Sequence, residues 1–371
     1  MQQYKPSPPT RQTGLSLVEL MISLSIGLIL LLGITTLIVQ QSSTRGEMEK
    51  SSRQIENGRY AMQILNDDIQ LAGFYGELYT LATPPGTLPD PCATAAAALF
   101  TAISLPVQGY DAPATVPTPL SACLPDTEHL AGTDILVIRR TDTAVLSVPP
   151  VVKEVYLQTG FLVNKVASAE IQYGNTVGFA LGSLKADNSI NVVGTKADGT
   201  ATTILRIANQ AGTASKTATP RLAANIRKYR VHIYFISPCS GTNCATSNDG
   251  IPTFKRLELT VVGGTTAFST VPLVEGIENM QFDYGIAATI SSGSPDSYAT
   301  DPVSIANWAN VMAIRVNLLA RNNDRSTGYQ DTKQYNMGLA GLTAVTNDKY
   351  KRHVYSGLVR VTNPSERREL P

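Results

Sequence analysis

The sequence predicts an α+β chain in which a long N-terminal α-helix, apolar over its first half, packs on an antiparallel β-rich C-terminal domain. Three observations predict it: one uncharged apolar run near the N-terminus, a helical stripe continuing from that run, and a series of β-type runs from residue 134 onward. Overall composition is permissive. At 371 residues and 43% apolar content the chain can hold a single large β-rich domain. A formal net charge of +1 speaks against bulk electrostatic binding to DNA or to an anionic membrane.

The apolar run covers 20–39, LMISLSIGLILLLGITTLIV, with no charge, no proline and only hydroxyls as polar groups. Twenty helical residues span roughly 30 Å, the thickness of a bilayer hydrocarbon core. No second such run occurs, so the sequence predicts a single crossing. Lys5 and Arg11 precede the run and favour a cytoplasmic N-terminus, which sends 40–371 to the periplasmic side. From Glu47 the helix continues without a proline. Met48, Ile55, Met62 and Ile69 recur every seven residues, joined by Leu65 and Ala72, as one apolar stripe on a polar helix. Gly58 weakens the helix locally, and Gly73 is a plausible stop. A helix from residue 15 to residue 72 would run for roughly 87 Å at about 1.5 Å per residue.

Residues 74–130 are rich in Pro, Ala and Thr, and proline at that density opposes both helix and central strand. They are expected to form an irregular connection draped on the surface. The β-type runs follow at 134–140, 151–158, 229–236, 255–262, 280–284, 311–320 and 352–361. In one of them Val231, Ile233 and Phe235 alternate with Arg230, His232 and Tyr234, which places His232 on a polar, solvent-facing side. The weakly patterned stretches 174–225 and 286–305 read as long loops or extra hairpins.

The order of segments at the N-terminus carries the sharpest functional signal. A secretory signal peptide has its apolar core before a small-x-small cleavage site. Here a short basic segment ends at Gly14, the apolar helix follows, and the Gln40-Gln41-Ser42 that succeeds it offers no such site. Glu19 lies at the edge of the apolar helix, where a carboxylate costs several kcal/mol unless it is paired or interfacial. Cleavage after Gly14 would create an amino group on Leu15, four residues from Glu19. In a helical bundle that amine could meet the Glu19 of a neighbouring subunit.

Gly14 followed by LSLVELM and an uninterrupted apolar helix resembles the class III signal of type IV pilins and pseudopilins. The resemblance implies a pilin-like fold and cleavage between Gly14 and Leu15 by a prepilin peptidase, with methylation of Leu15. It also implies a role for Glu19 in entry into the filament. Leu15 departs from the Phe more usual in that family. A narrower resemblance, to the PilW family of large minor pilins, is carried by RQIENGRYAMQILNDDIQLAGFYG at 53–76, YRVHIYFI at 229–236, GIPTFKRLEL at 250–259, GIENMQFDYG at 276–285 and NVMAIRVNLLARN at 310–322. The resulting division is a leader at 1–14, a helix at 15–73 held in the membrane to about residue 39, a connection at 74–130 and a β-rich periplasmic domain at 131–371. Resemblance to these minor pilins implies a structural subunit of the complex that primes pilus assembly and stays at the tip. Its partners would be the prepilin peptidase, other minor pilins, the major pilin and the inner-membrane assembly platform, with a large tip adhesin as a further candidate.

Four cysteines lie in the exported part, and three pairings are possible. Cys239 and Cys244 bracket the turn-rich SGTN, which favours a local bridge and leaves Cys92 and Cys123 to close the Pro-rich segment. His129, His232 and His353 show no metal-ligand spacing with them. No nucleophile elbow or phosphate loop is present, Asp67 and Asp68 diverge on their helix, and TSNDGIP has too few alternating oxygens for calcium. Scattered basic pairs form no continuous stripe for nucleic acid. The sequence therefore points to no catalytic, cofactor-binding or metal-binding residues. The rival readings are a J-type minor pseudopilin of a type II secretion system, which uses the same leader and helix, and a membrane-anchored periplasmic enzyme or binding protein.

Overall fold

The computed structural model describes residues 14, 16–76, 84–145, 153–165, 171–184, 190–193, 226–289, 291–302 and 304–369. The chain divides into two compact units, 1–52 and 53–371. Helix α1, Leu17–Leu71, contributes to both.

In the first unit every described residue from 16 to 45 is exposed, including Leu17, Leu28 and Leu32. This part of α1 is long and apolar enough to cross a membrane. Its hydroxyls are turned back onto the helix. Ser23 Oγ donates to Glu19 O (2.6 Å), Ser25 Oγ to Met21 O (2.8 Å) and Thr36 Oγ1 to Gly33 O (2.8 Å). Such back-bonding satisfies each polar group without water, as an apolar surrounding demands.

In the second unit α1 buries Gln54, Gly58, Ala61, Leu65, Asp68 and Ile69, a seam with the spacing of one helical face. The seam differs from the expected stripe: Met48 and Ile55 are exposed, while Gln54 and Gly58 are buried. The reason is what lies opposite. Gln54 Nε2 donates to Ala320 O (2.7 Å) and Lys351 O (3.0 Å), and Asn57 Nδ2 to Glu275 O (3.0 Å). A Cβ on Gly58 would fall 2.1 Å from the Tyr355 ring, so only glycine lets the helix settle there. The helix ends at Gly73, at φ +73°, a left-handed position suited to glycine.

The remaining elements, in chain order, are α2 (Ala96–Thr101), β1 (Val107–Tyr110), β2 (Ile135–Thr141), β3 (Val155–Lys165), β4 (Ile171–Leu184) and β5 (Ile190–Val193). Then follow β6 (Ile226–Ser237), β7 (Thr253–Val262), β8 (Thr265–Glu275), β9 (Ile277–Ile286), β10 (Ser297–Ala299), α3 (Ile305–Ala309), β11 (Val311–Arg321), β12 (Arg352–Arg360) and α4 (Thr362–Glu369). They form two antiparallel sheets. One has eight strands, β1-β2-β6-β3-β4-β5 with β7 and β8 added beside β6, and the other has the order β10-β9-β11-β12. The fold is α+β and pilin-like, with an antiparallel β-rich C-terminal domain. Of the weakly patterned 174–225, strands β4 and β5 pair as a hairpin, whereas 185–189 and 194–225 lie outside the described residues.

Two expectations are corrected by where the core sits. Where β2 and β6 lie side by side, the eight-stranded sheet is covered on both faces. Leu136, Ile138, Tyr234 and Ile236 pack with Leu65 and Ile69 of α1 and with Phe282 and Ile314 of the second sheet. On the other side Ile135, Val137, Val231, Ile233 and Phe235 pack with Leu99, Ile103, Leu120 and Leu124. The Pro-rich segment is therefore no surface-draped loop: it carries α2 and β1 and closes the second core. For the same reason neither side of β6 faces water, and His232 is buried rather than at the surface.

Candidate functional site

Gly14 is exposed and outside any regular element just before α1, and Leu15 lies outside the described residues. Glu19 stands in the first turn of α1, exposed, where a carboxylate complements the helix dipole. Among the described residues no ion pair neutralises it. The leader residues 1–13, with Lys5 and Arg11, also lie outside the described residues. The N-terminal features thus consist of a reachable Gly14, one acidic side chain and a fully exposed apolar helix.

The cysteines form two disulfides. Cys92–Cys123 has a Cα–Cα distance of 5.6 Å and Cys239–Cys244 one of 5.4 Å. The first ties the segment before α2 to the turn around Leu120. The second staples the hairpin between β6 and β7. Glu128 Oε1 accepts from the Cys244 N–H (2.6 Å), and donor atoms of Glu128, Cys239 and Cys244 lie within 4.8 Å of one another. With both sulfurs spent in the bridge, this group presents no thiolates to a metal ion.

Sequence reasoning missed the buried charge centre of the second unit. Asp68 is 4% exposed and meets three partners from the sheet. Arg140 Nε donates to Oδ1 (2.5 Å), while His232 Nδ1 (2.7 Å) and Tyr234 Oη (2.8 Å) reach Oδ2. Burial alone would push the Asp68 carboxyl up, but His232, Arg140 and Tyr234 together hold it well below the usual carboxylate range. Burial draws His232 down, with Arg256 and Arg140 adding to that pull against Asp68. Arg140 is then the cation of the centre, and an uncharged His232 donates from Nδ1. Its Nε2 has no hydrogen-bond partner, in keeping with an uncharged ring. This arrangement pins α1 to the sheet and offers no open position for a substrate.

A second centre organises the start of β12. Arg352 donates to Glu278 (2.5 Å), Asp331 (3.0 Å) and Asp348 (2.6 Å), fastening the 322–351 segment between β9 and β12. Hydrogen bonding from Arg352 lowers Asp348 to about 2. Tyr335 Oη adds a bond to Asp331 (3.0 Å). Asp348 stands only four residues before Arg352, but Glu278 and the partners of Asp68 lie more than seventy residues away in the chain, so neither centre as a whole has a local sequence signature.

Comparison with known families finds two matches. Residues 9–35 match the family described as the prokaryotic N-terminal methylation motif, and residues 233–363 match that described as type IV pilus-assembly protein W. No curated protein and no solved structure matches the chain. The first match contains Gly14, Leu15 and Glu19; the second runs from β6 through β12 and includes the Cys239–Cys244 bridge and the Arg352 centre.

Proposed function

For a chain that these two matches identify as a type IV minor pilin of the PilW family, we propose a structural role in the complex that primes pilus assembly and remains at the filament tip. The observation that carries the proposal is the first half of α1, where 16–45 are exposed, the 20–39 core is uncharged, and Glu19 is the one acidic side chain beside it. Exposed apolar surface of that extent needs a bilayer first and neighbouring helices afterwards. In this reading a prepilin peptidase cuts between Gly14 and Leu15 and Leu15 is methylated. The helix then anchors the chain in the inner membrane, with the β-rich domain in the periplasm. During assembly Glu19 meets the Leu15 amine of an adjacent subunit, so that two charges enter an apolar bundle as a pair.

The partners are those of the pilus system: the prepilin peptidase, other minor pilins, the major pilin and the inner-membrane platform, with a large tip adhesin as a further candidate. PilW is a family of structural pilus components, and the role proposed for this chain is structural, not enzymatic. Complementation of a deletion strain tests the priming role. Glu19→Val is expected to keep the chain in the membrane while sharply reducing surface pili and the minor pilins recovered with it. Normal piliation in that strain would overturn the pairing.

A further inference from the structure

The two disulfides sit in different electrostatic surroundings. At Cys92–Cys123 the sulfurs lie 3.2 and 3.7 Å from the Leu120 carbonyl oxygen, whose negative end disfavours a thiolate. At Cys239–Cys244 a buried ammonium lies against the bridge instead. Lys255 Nζ is 3.5 Å from Cys239 Sγ and 3.7 Å from Cys244 Sγ, with its side chain fully buried. It also donates to Gly241 O, the carbonyl 3.5 Å from Cys239 Sγ, and stands 3.5 Å from Glu128 Oε2. Ser237 Oγ lies 3.0 Å from Cys244 Sγ. A disulfide has no charge for an ammonium to stabilise, whereas a thiolate does, so this cation favours the reduced state and the path leading to it.

We propose that Cys239–Cys244 is an exchange-competent disulfide, attacked at Cys244 by the thiolate of a dithiol, with Lys255 holding the departing sulfur of Cys239. The two sulfurs are not equivalent. Cys244 is 9% exposed and Cys239 is 0% exposed. Cys244 is thus the half of the bridge nearer to solvent, and a thiolate attacking its Sγ forms a mixed disulfide there and expels the bonding pair onto Cys239 Sγ, beside the ammonium. The second thiol of the same reductant loses its proton to solvent and displaces Cys244. The reductant leaves as a disulfide, Cys239 as a thiolate paired with Lys255, and Cys244 takes up a proton. Two electrons pass from the dithiol to the bridge. Glu128 acts in two directions: burial draws Lys255 down and the Glu128 carboxylate holds it charged, while the same carboxylate repels a thiolate.

The full-length chain in detergent, with both bridges oxidised, would be treated with limiting dithiothreitol. Thiols would be trapped by alkylation at intervals and located by mass spectrometry. Cys239 and Cys244 are expected to be released about tenfold faster than Cys92 and Cys123, although the latter pair is the more exposed. Lys255→Met should slow release of Cys239 and Cys244 about tenfold and leave the Cys92–Cys123 rate unchanged. Lys255→Arg, which keeps the positive charge, should hold the release rate within about threefold of wild type, and that variant decides the matter if Lys255→Met fails to fold and frees both bridges together. Equal rates for the two bridges in the wild-type chain, or a Lys255→Arg rate slowed about tenfold, would overturn the proposal.

Discussion

Over residues 16–45 every described side chain is exposed, whereas from 54 to 72 every third or fourth residue of the same chain segment is sealed. The 20–39 core of the first stretch is uncharged and apolar but for hydroxyls, which are folded back onto its own carbonyls. The second buries a glutamine, a glycine and an aspartate among its apolar residues. The difference teaches what each part is built to meet. An aliphatic surface without internal partners suits a surrounding that offers no hydrogen bonds, and it tolerates rotation about the helix axis. A seam containing Gln54, Gly58 and Asp68 has one orientation only, because each of these residues has a fixed counterpart in the sheets.

The contrast breaks most readily at Asp68. Replacing it by alanine leaves His232 and Tyr234 buried without their acceptor and takes one carboxylate from the half-buried Arg140, and should cost about 3–5 kcal/mol in denaturant unfolding. The fluorescence of Trp308, the chain's single tryptophan and part of the same core, can report that transition. A loss below about 1 kcal/mol would show that Asp68 is not the pin described. Next in size, Leu65→Ala is expected to lose about 2–5 kcal/mol, while Leu28→Ala in the exposed half shifts the same transition by no more than about 0.5 kcal/mol. Equal effects would erase the distinction between the halves.

The smallest effect concerns pH. His232 is drawn down in the folded state, so the unfolded chain binds its proton first and stability falls as pH drops below about 6.5. Asp68 is also held low, so its contribution is complete above about pH 4 and is lost as pH falls further through its folded value. Both losses run in the same direction in separate windows. His232→Asn should flatten the midpoint between pH 7 and 5 and leave the steeper loss below pH 4. An unchanged upper window would mean that His232 is not the group titrating there.

The parts of the fold that depend on local pattern were legible in the sequence. The 20–39 run, the helix continuing past it, its stop near Gly73 and most of the β-type runs follow from composition and period alone. What escaped depends on distant partners. Asp67 and Asp68 read locally only as two carboxylates that diverge on a helix, and it is β2 and β6 that give the buried Asp68 its partners. His232 alternates with apolar neighbours and so reads as solvent-facing, because nothing local reveals that α1 covers that side of the sheet. Proline density at 84–130 correctly opposes long elements, yet it hides that Leu99, Ile103, Leu120 and Leu124 close a core. The helix seam was misread at Met48 and Ile55, since apolar residues were followed where packing against backbone carbonyls selected Gln54. At the N-terminus the signal was a motif, Gly14 with Glu19 five positions on, and it needed no tertiary information.

The central claim is that this N-terminus is processed as a pilin and the apolar helix is kept. Mass spectrometry of the N-terminus, on chain recovered from native membranes and from sheared surface filaments, tests it most directly. The account predicts a chain beginning at Leu15 with a methyl group on its amine. A chain beginning at Met1, or one cut after residue 41, would contradict it.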